Sequence, residues 1–269
     1  MRTLLFLLAL PLAAGLRADV EFAQVGDVRL TLDAWVPDGA GPFPAVIVVH
    51  GGGFVNGDKQ TYVQPLFDPL TKGGFAWFTI NYRLAPQYRF PAAVEDVERA
   101  VLWLHTHAQE YKVDPRRIAL VGESAGGHLV SYVGAKHKPA ARIAAVVSFY
   151  GPHDFEARAT QRGALSDSEK AFVGVSDTSP KSMRLLRQAS PVTYVHKDMP
   201  PYLLIHGTKD AAVPYQLSVS MCDKMKRAGA SCEVFTVQDA PHGVGPWEKN
   251  PAFQGYKKKM VEWLQATLR

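Results

Sequence analysis

Six short apolar runs recur along the chain: 46–49, 76–80, 118–121, 143–149, 202–205 and 234–237. Continuous apolar runs of this length suit strands covered on both faces, as in a parallel sheet. Helical patterns fall between them. Pro91 suits a first helical position, and Val94, Val97, Val101 and Leu104 follow at helical spacing. The last two helices are expected over 215–228 and 252–268. Such alternation predicts an α/β domain with a doubly wound, mostly parallel sheet and a functional site at the strands' carboxyl ends. The stretch from Val28 to Val36 differs. There Val28, Leu30, Leu32 and Ala34 alternate with polar or mixed residues, which predicts an antiparallel edge strand. A length of 269 residues is enough for one domain with a substantial core.

The loops at the strand ends carry the chemistry. The run ending at Val121 leads into Gly122-Glu123-Ser124-Ala125-Gly126, and a helical pattern begins at Gly127. A tight strand-to-helix turn projects a serine at the sheet's edge, and a helix N-terminus beneath it favours developing negative charge. Ser124 is therefore the candidate nucleophile. The run 46–49 ends in His50-Gly51-Gly52-Gly53-Phe54, 202–205 ends in His206-Gly207-Thr208-Lys209-Asp210, and 234–237 leads to Ala240-Pro241-His242-Gly243. Each candidate lies beyond a strand, in the order Ser, Asp, His, which is the α/β-hydrolase order. His242 is the expected base, with Asp210 as the acid that orients it; Asp239, three residues before His242, would need an awkward local turn.

The motifs HGGGF, GESAGG, HGTKD and APHG, with Asn81-Tyr82-Arg83-Leu84-Ala85-Pro86 and 90–96, resemble the α/β-hydrolase esterases related to hormone-sensitive lipase. The stretch from Ala189-Ser190-Pro191 to His206-Gly207 is most similar to bacterial feruloyl and acetylxylan esterases. The resemblance covers roughly residues 28–268. It implies a serine carboxylesterase acting on short-acyl or aryl esters, with acetyl or feruloyl esters of plant polysaccharide as the expected substrates. It also implies an oxyanion hole from the backbone of Gly52, Gly53 and Ala125, where a side chain would block the substrate. Many relatives carry a helical N-terminal cap; the sequence before the first strand leaves no room for a large one, which implies a more open site. An amide hydrolase such as an arylformamidase or small peptidase would use the same triad. A silent binding module is the third reading, and the three filled triad positions speak against it.

Other residues carry plainer expectations. Phe54, Tyr150 and Trp247 lie near the site loops and are candidate substrate walls. His50 is expected to brace its loop, His128 to pack, His206 to hold a hydrogen-bonded core position, and His105 and His107 to sit at the surface. Arg83 and Asp96 are expected to form a structural pair. The polar stretch 151–199 is expected to place one or two helices over the site. No metal-ligand or nucleotide-binding signature is present, and ester hydrolysis needs only water, so no cofactor is expected.

The first residues combine Arg2 with an apolar stretch to about Ala14 and then small residues, the pattern of a secretory signal, with cleavage expected after Ala18. The mature chain would then be 19–269, secreted or periplasmic. The apolar run is too short to span a bilayer and no cysteine comes after it, so no membrane anchor is expected. The formal charge of +5 falls to +3 once Arg2 and Arg17 are removed. The basic residues are scattered apart from Lys257-Lys258-Lys259, which gives no nucleic-acid patch. Cys222 and Cys232 would both face the helix–sheet interface; two buried thiols are favoured, with a bridge geometrically open.

Overall fold

The structure is a computed structural model that describes residues 15–136 and 142–269. Its sheet comprises β1 (Gly15–Val25), β2 (Val28–Val36), β3 (Phe43–Val49), β4 (Ala76–Ile80), β5 (Val113–Glu123), β6 (Ala145–Phe149), β7 (Tyr202–Gly207) and β8 (Cys232–Val237). The helices are α1 (Gln64–Lys72), α2 (Ala92–Thr106), α3 (Ala125–Lys136), α4 (Phe155–Arg162), α5 (Asp167–Val173), α6 (Pro180–Gln188), α7 (Gln216–Arg227), α8 (Val244–Glu248) and α9 (Gly255–Thr267). The strand order is β1-β2-β4-β3-β5-β6-β7-β8. Pairings β1–β2 and β2–β4 are antiparallel, and the rest are parallel.

Two helix layers explain the continuous apolar runs of β3 to β7, whereas β8, expected to be covered on both faces, lies at the sheet edge and is only partly buried. Along β3, Ala45, Ile47 and Val49 join one core cluster while Val46 and Val48 join the other. In β7, Tyr202 and Leu204 face the first layer and Leu203 and Ile205 the second. The first layer contains apolar residues of α2, α3 and α7, and the second those of α1, α8 and α9. A strand with no wet face has no polar alternation to show.

Three further expectations need correction. β2 is antiparallel but is not the edge, because β1 pairs along it from Gly15↔Val36 to Val25↔Val28. Its half-polar sequence reflects an internal position holding buried Thr31 and Asp33. Cys222 and Cys232 form a disulfide with Cα atoms 5.4 Å apart instead of remaining thiols. The reason is packing: α7 lies against β8, which places Cys222 beside the first residue of that strand. Closing so short a loop restricts the unfolded chain by roughly 2–3 kcal/mol. The stretch 151–199 builds three α-helices, α4 to α6, and a 3₁₀ turn (Pro191–Tyr194) rather than one or two helices.

The expected signal segment lies outside the described residues up to residue 14. Its expected end, Ala18, falls inside β1, between the paired residues Arg17 and Val20. No helix among the described residues is long and apolar enough to cross a membrane.

Candidate active site

Ser124 stands between β5 and α3 with φ +53, the left-handed region that a side chain adopts only under strain. Its N–H donates to the Phe149 carbonyl at 2.9 Å, and its own carbonyl accepts from His128 N–H at 3.0 Å. The glycines around it are needed for close approach: a Cβ on Gly126 would collide with the Val49 and His50 carbonyls, and one on Gly122 with the backbone of Gly126. The strand-to-helix turn is thus packed directly on the loop after β3.

The three residues picked from separate strand ends meet here. The Ser124 hydroxyl lies 3.0 Å from His242 Nε2, and His242 Nδ1 donates to Asp210 Oδ2 at 2.6 Å. The other Asp210 oxygen accepts from the N–H groups of Ala212 and Val213 at 2.9 and 2.8 Å. His206 Nε2 lies 3.2 Å from Asp210 Oδ2 and donates to the Val213 carbonyl at 3.0 Å, while its Nδ1 accepts from the Ser218 hydroxyl. Burial raises the Asp210 carboxyl, but the bonds from His206 and His242 outweigh burial and hold it below the usual carboxylate range. A carboxylate so held keeps the imidazole in the tautomer whose Nε2 can take a proton from the serine. Asp239 lies elsewhere, paired with Lys209 at 3.0 Å on the surface.

Gly52, Gly53 and Ala125 line the cavity of about 770 Å³ that holds Ser124 and His242. Gly52 and Gly53 have φ +94 and +61, the left-handed region that glycine adopts without strain. His50 braces this loop. Its ring stacks on Tyr82 at 4.2 Å, its Nδ1 donates to the Gly51 carbonyl at 2.8 Å, and burial lowers its pKa to about 4. The Tyr82 hydroxyl donates to the carbonyls of His50 and Gly51 at 3.1 Å. Further out, Arg83 makes an ion pair with the fully buried Asp96 at 2.8 Å and anchors the strand end after β4 to α2.

Of the three candidate walls, only Phe54 lines the cavity. Tyr150 and Trp247 are fully buried and act behind it. The Tyr150 ring packs edge-on against His242 at 4.7 Å, and its hydroxyl accepts from Val244 N–H. Trp247 Nε1 donates to the Pro241 carbonyl at 2.7 Å. Both hold the His242 loop, so their large rings serve the core. His128 packs as expected: it stacks on Phe155 at 4.5 Å and donates to the Pro152 carbonyl.

Several lining residues carry no signal in the sequence. Arg158, Arg162, Ser166 and Ser168, on α4, α5 and the turn between them, form one wall. The buried Glu169 carboxylate pairs with both arginines, at 3.0 and 3.2 Å. Nothing in the polar stretch 151–199 marks these positions as facing the serine. Glu123, beside Ser124, is only 4% exposed. Burial pushes its pKa from the ordinary 4.5 to about 7, against the opposing pull of His242, the Gly51 N–H and the Tyr150 hydroxyl.

This shift has a measurable sign. The unfolded chain releases the Glu123 proton near 4.5, the folded protein near 7, so its stabilisation is full below the first value and gone above the second. Relative to Glu123→Gln, the wild type should therefore lose roughly 3 kcal/mol between about pH 5 and pH 8. Urea midpoints of both proteins across this range measure it, and a pH-independent gap contradicts it.

Comparison with known proteins agrees with this architecture. The BD-FAE family model matches residues 32–225. The chain belongs to the BD-FAE family. It is an α/β-hydrolase of the hormone-sensitive-lipase-like esterase group. Among curated relatives, the esterase LipC of Mycobacterium tuberculosis is 30% identical over 201 residues, covering 71% of this chain and 50% of LipC. The chain spans about half the length of the curated relatives it matches. A truncated carbohydrate esterase from gut microbiota superimposes with a TM-score of 0.81 at 25% identity, covering 94% of this chain and 96% of that one. A bifunctional GH43-CE protein of Bacteroides eggerthii gives 0.80 at 26% identity, over 94% of this chain and 38% of that one.

Proposed function

We propose that the chain is a serine carboxylesterase for short-acyl or aryl esters, with acetyl or feruloyl esters of plant polysaccharide as its natural substrates. The unbroken hydrogen-bonded line from Ser124 through His242 to Asp210, at the floor of an open cavity, carries the reading. Ser124 attacks the ester carbonyl while His242 takes its proton and returns it to the leaving alcohol. Water, activated by the same imidazole, then releases the acid from the acyl-enzyme. The N–H groups of Gly52, Gly53 and Ala125 receive the oxyanion, and loss of one such donor costs about 3 kcal/mol of transition-state stabilisation.

The substrate class draws support from two sources. Similar solved structures include a carbohydrate esterase. The wall of Arg158, Arg162, Ser166 and Ser168 is charged and hydroxylated, a poor lining for a long alkyl chain. A secreted or periplasmic location belongs to the same proposal. The apolar pattern over the first residues supports it, and so does the Cys222–Cys232 bridge, since disulfides persist in oxidising compartments.

A p-nitrophenyl ester series tests the acyl preference. Acetyl to butyryl esters should show higher kcat/KM than octanoyl and longer ones. A pocket that accepts long chains would gain about 0.8 kcal/mol per buried methylene. A profile climbing to decanoyl overturns the polysaccharide reading. Faster turnover of N-formylkynurenine or an aminoacyl arylamide than of aryl acetate would favour an amidase instead.

A further inference from the structure

The rim of the cavity holds an aromatic residue that the triad chemistry does not use. Tyr62 lines the same cavity as Ser124 yet is 49% exposed. Its φ is +66, a conformation that bulky residues avoid. The loop that carries it is tied down on every side. Asp58 Oδ1 accepts from the N–H groups of Gln60 and Thr61 and from the Thr61 hydroxyl, all within 2.9 Å. Lys59 Nζ pairs with the buried Asp33 at 2.9 Å, and the Lys59 N–H donates to Asn81 Oδ1. The Thr79 hydroxyl donates to the Lys59 carbonyl at 2.6 Å, and the next residue after Tyr62, Val63, is fully buried. An exposed ring on a rigid loop keeps its apolar face at the mouth and loses little further entropy when a ligand covers it.

The surroundings say what such a ring would meet. Gln64 lies beside it on the cavity wall, and the Tyr62 hydroxyl reaches Asn56 Oδ1 at 3.4 Å. An apolar face edged by amide groups matches a ligand with an apolar face and a rim of hydroxyls, which describes a pyranose ring. We propose that Tyr62 is a stacking platform for a sugar ring of the leaving group, a specificity-determining residue outside the triad. This deepens the polysaccharide-ester reading and rests on it. Phe54, 3% exposed, is buried deeper in the same cavity, so among the described residues Tyr62 is the lining phenyl-type ring at the rim.

The test compares an acetylated xylo-oligosaccharide with ethyl acetate, whose leaving group has no ring, for wild type, Tyr62→Ala and Tyr62→Trp. The ratio of kcat/KM for the sugar ester to that for ethyl acetate should fall about tenfold in Tyr62→Ala, through KM, and be kept in Tyr62→Trp. An unchanged ratio in Tyr62→Ala overturns the platform while ester hydrolysis stands. Equal losses on both substrates, or a tryptophan variant as poor as the alanine one, show a role in holding the loop and overturn it too. Wild-type turnover of ethyl acetate with none of the sugar ester removes the polysaccharide reading, and the platform with it.

Discussion

Ser124→Ala should lower kcat for p-nitrophenyl acetate at least about a thousandfold while leaving a folded protein. The hydroxyl is the only group removed. The φ of +53 is set by the backbone bonds to Phe149 and His128 and by the packing of Gly126 on the loop after β3, all of which remain. The melting temperature should therefore move little. Turnover on p-nitrophenyl acetate within tenfold of wild type would show that another group does the chemistry.

Asp210→Asn should be nearly as damaging, with roughly a thousandfold loss or more. The carboxylate accepts from His242, from two backbone N–H groups and from His206. An amide can keep one oxygen on Ala212 and Val213 only by presenting its NH₂ to His242 Nδ1. The imidazole must then accept there and carry its proton on Nε2, where it can no longer take one from Ser124. Asp239→Asn breaks an exposed surface pair with Lys209, a type of contact that contributes little, and should change turnover by less than about threefold. The reverse ranking of the two variants would refute the assignment of the acid.

Much of this site is visible in the sequence because local chemistry marks it. Ser124, Asp210 and His242 each lie beyond an apolar run; the strands before Ser124 and Asp210 are covered on both faces, while β8, before His242, is a partly exposed edge strand. The glycines at 122, 126 and 52 mark places where backbone meets backbone. Residues placed by long-range packing are not marked in this way. β1 has mixed exposure and no clean alternation, so its pairing with β2 goes unseen and β2 is taken for an edge. α1 is not among the expected helices; it contains Pro69 and is anchored by the fully buried Leu66 and Leu70. Tyr150 and Trp247 are near the site in sequence but turn inward, because the His242 loop needs a packed backing more than the cavity needs a wall. Helices over the site are expected from 151–199, but no periodicity in that polar stretch marks Arg158 and Arg162 of α4 as the residues that line the cavity.

The most direct test of the serine mechanism is to trap its covalent step. The protein is treated with an alkyl p-nitrophenyl phosphonate, digested and mapped by mass spectrometry, with Ser124→Ala in parallel. One phosphonyl group per chain is expected, carried by the peptide containing Ser124, with p-nitrophenyl acetate turnover lost in proportion to labelling and no adduct in the variant. Turnover that survives complete labelling, or an adduct on another residue that tracks the loss of activity, would contradict the mechanism.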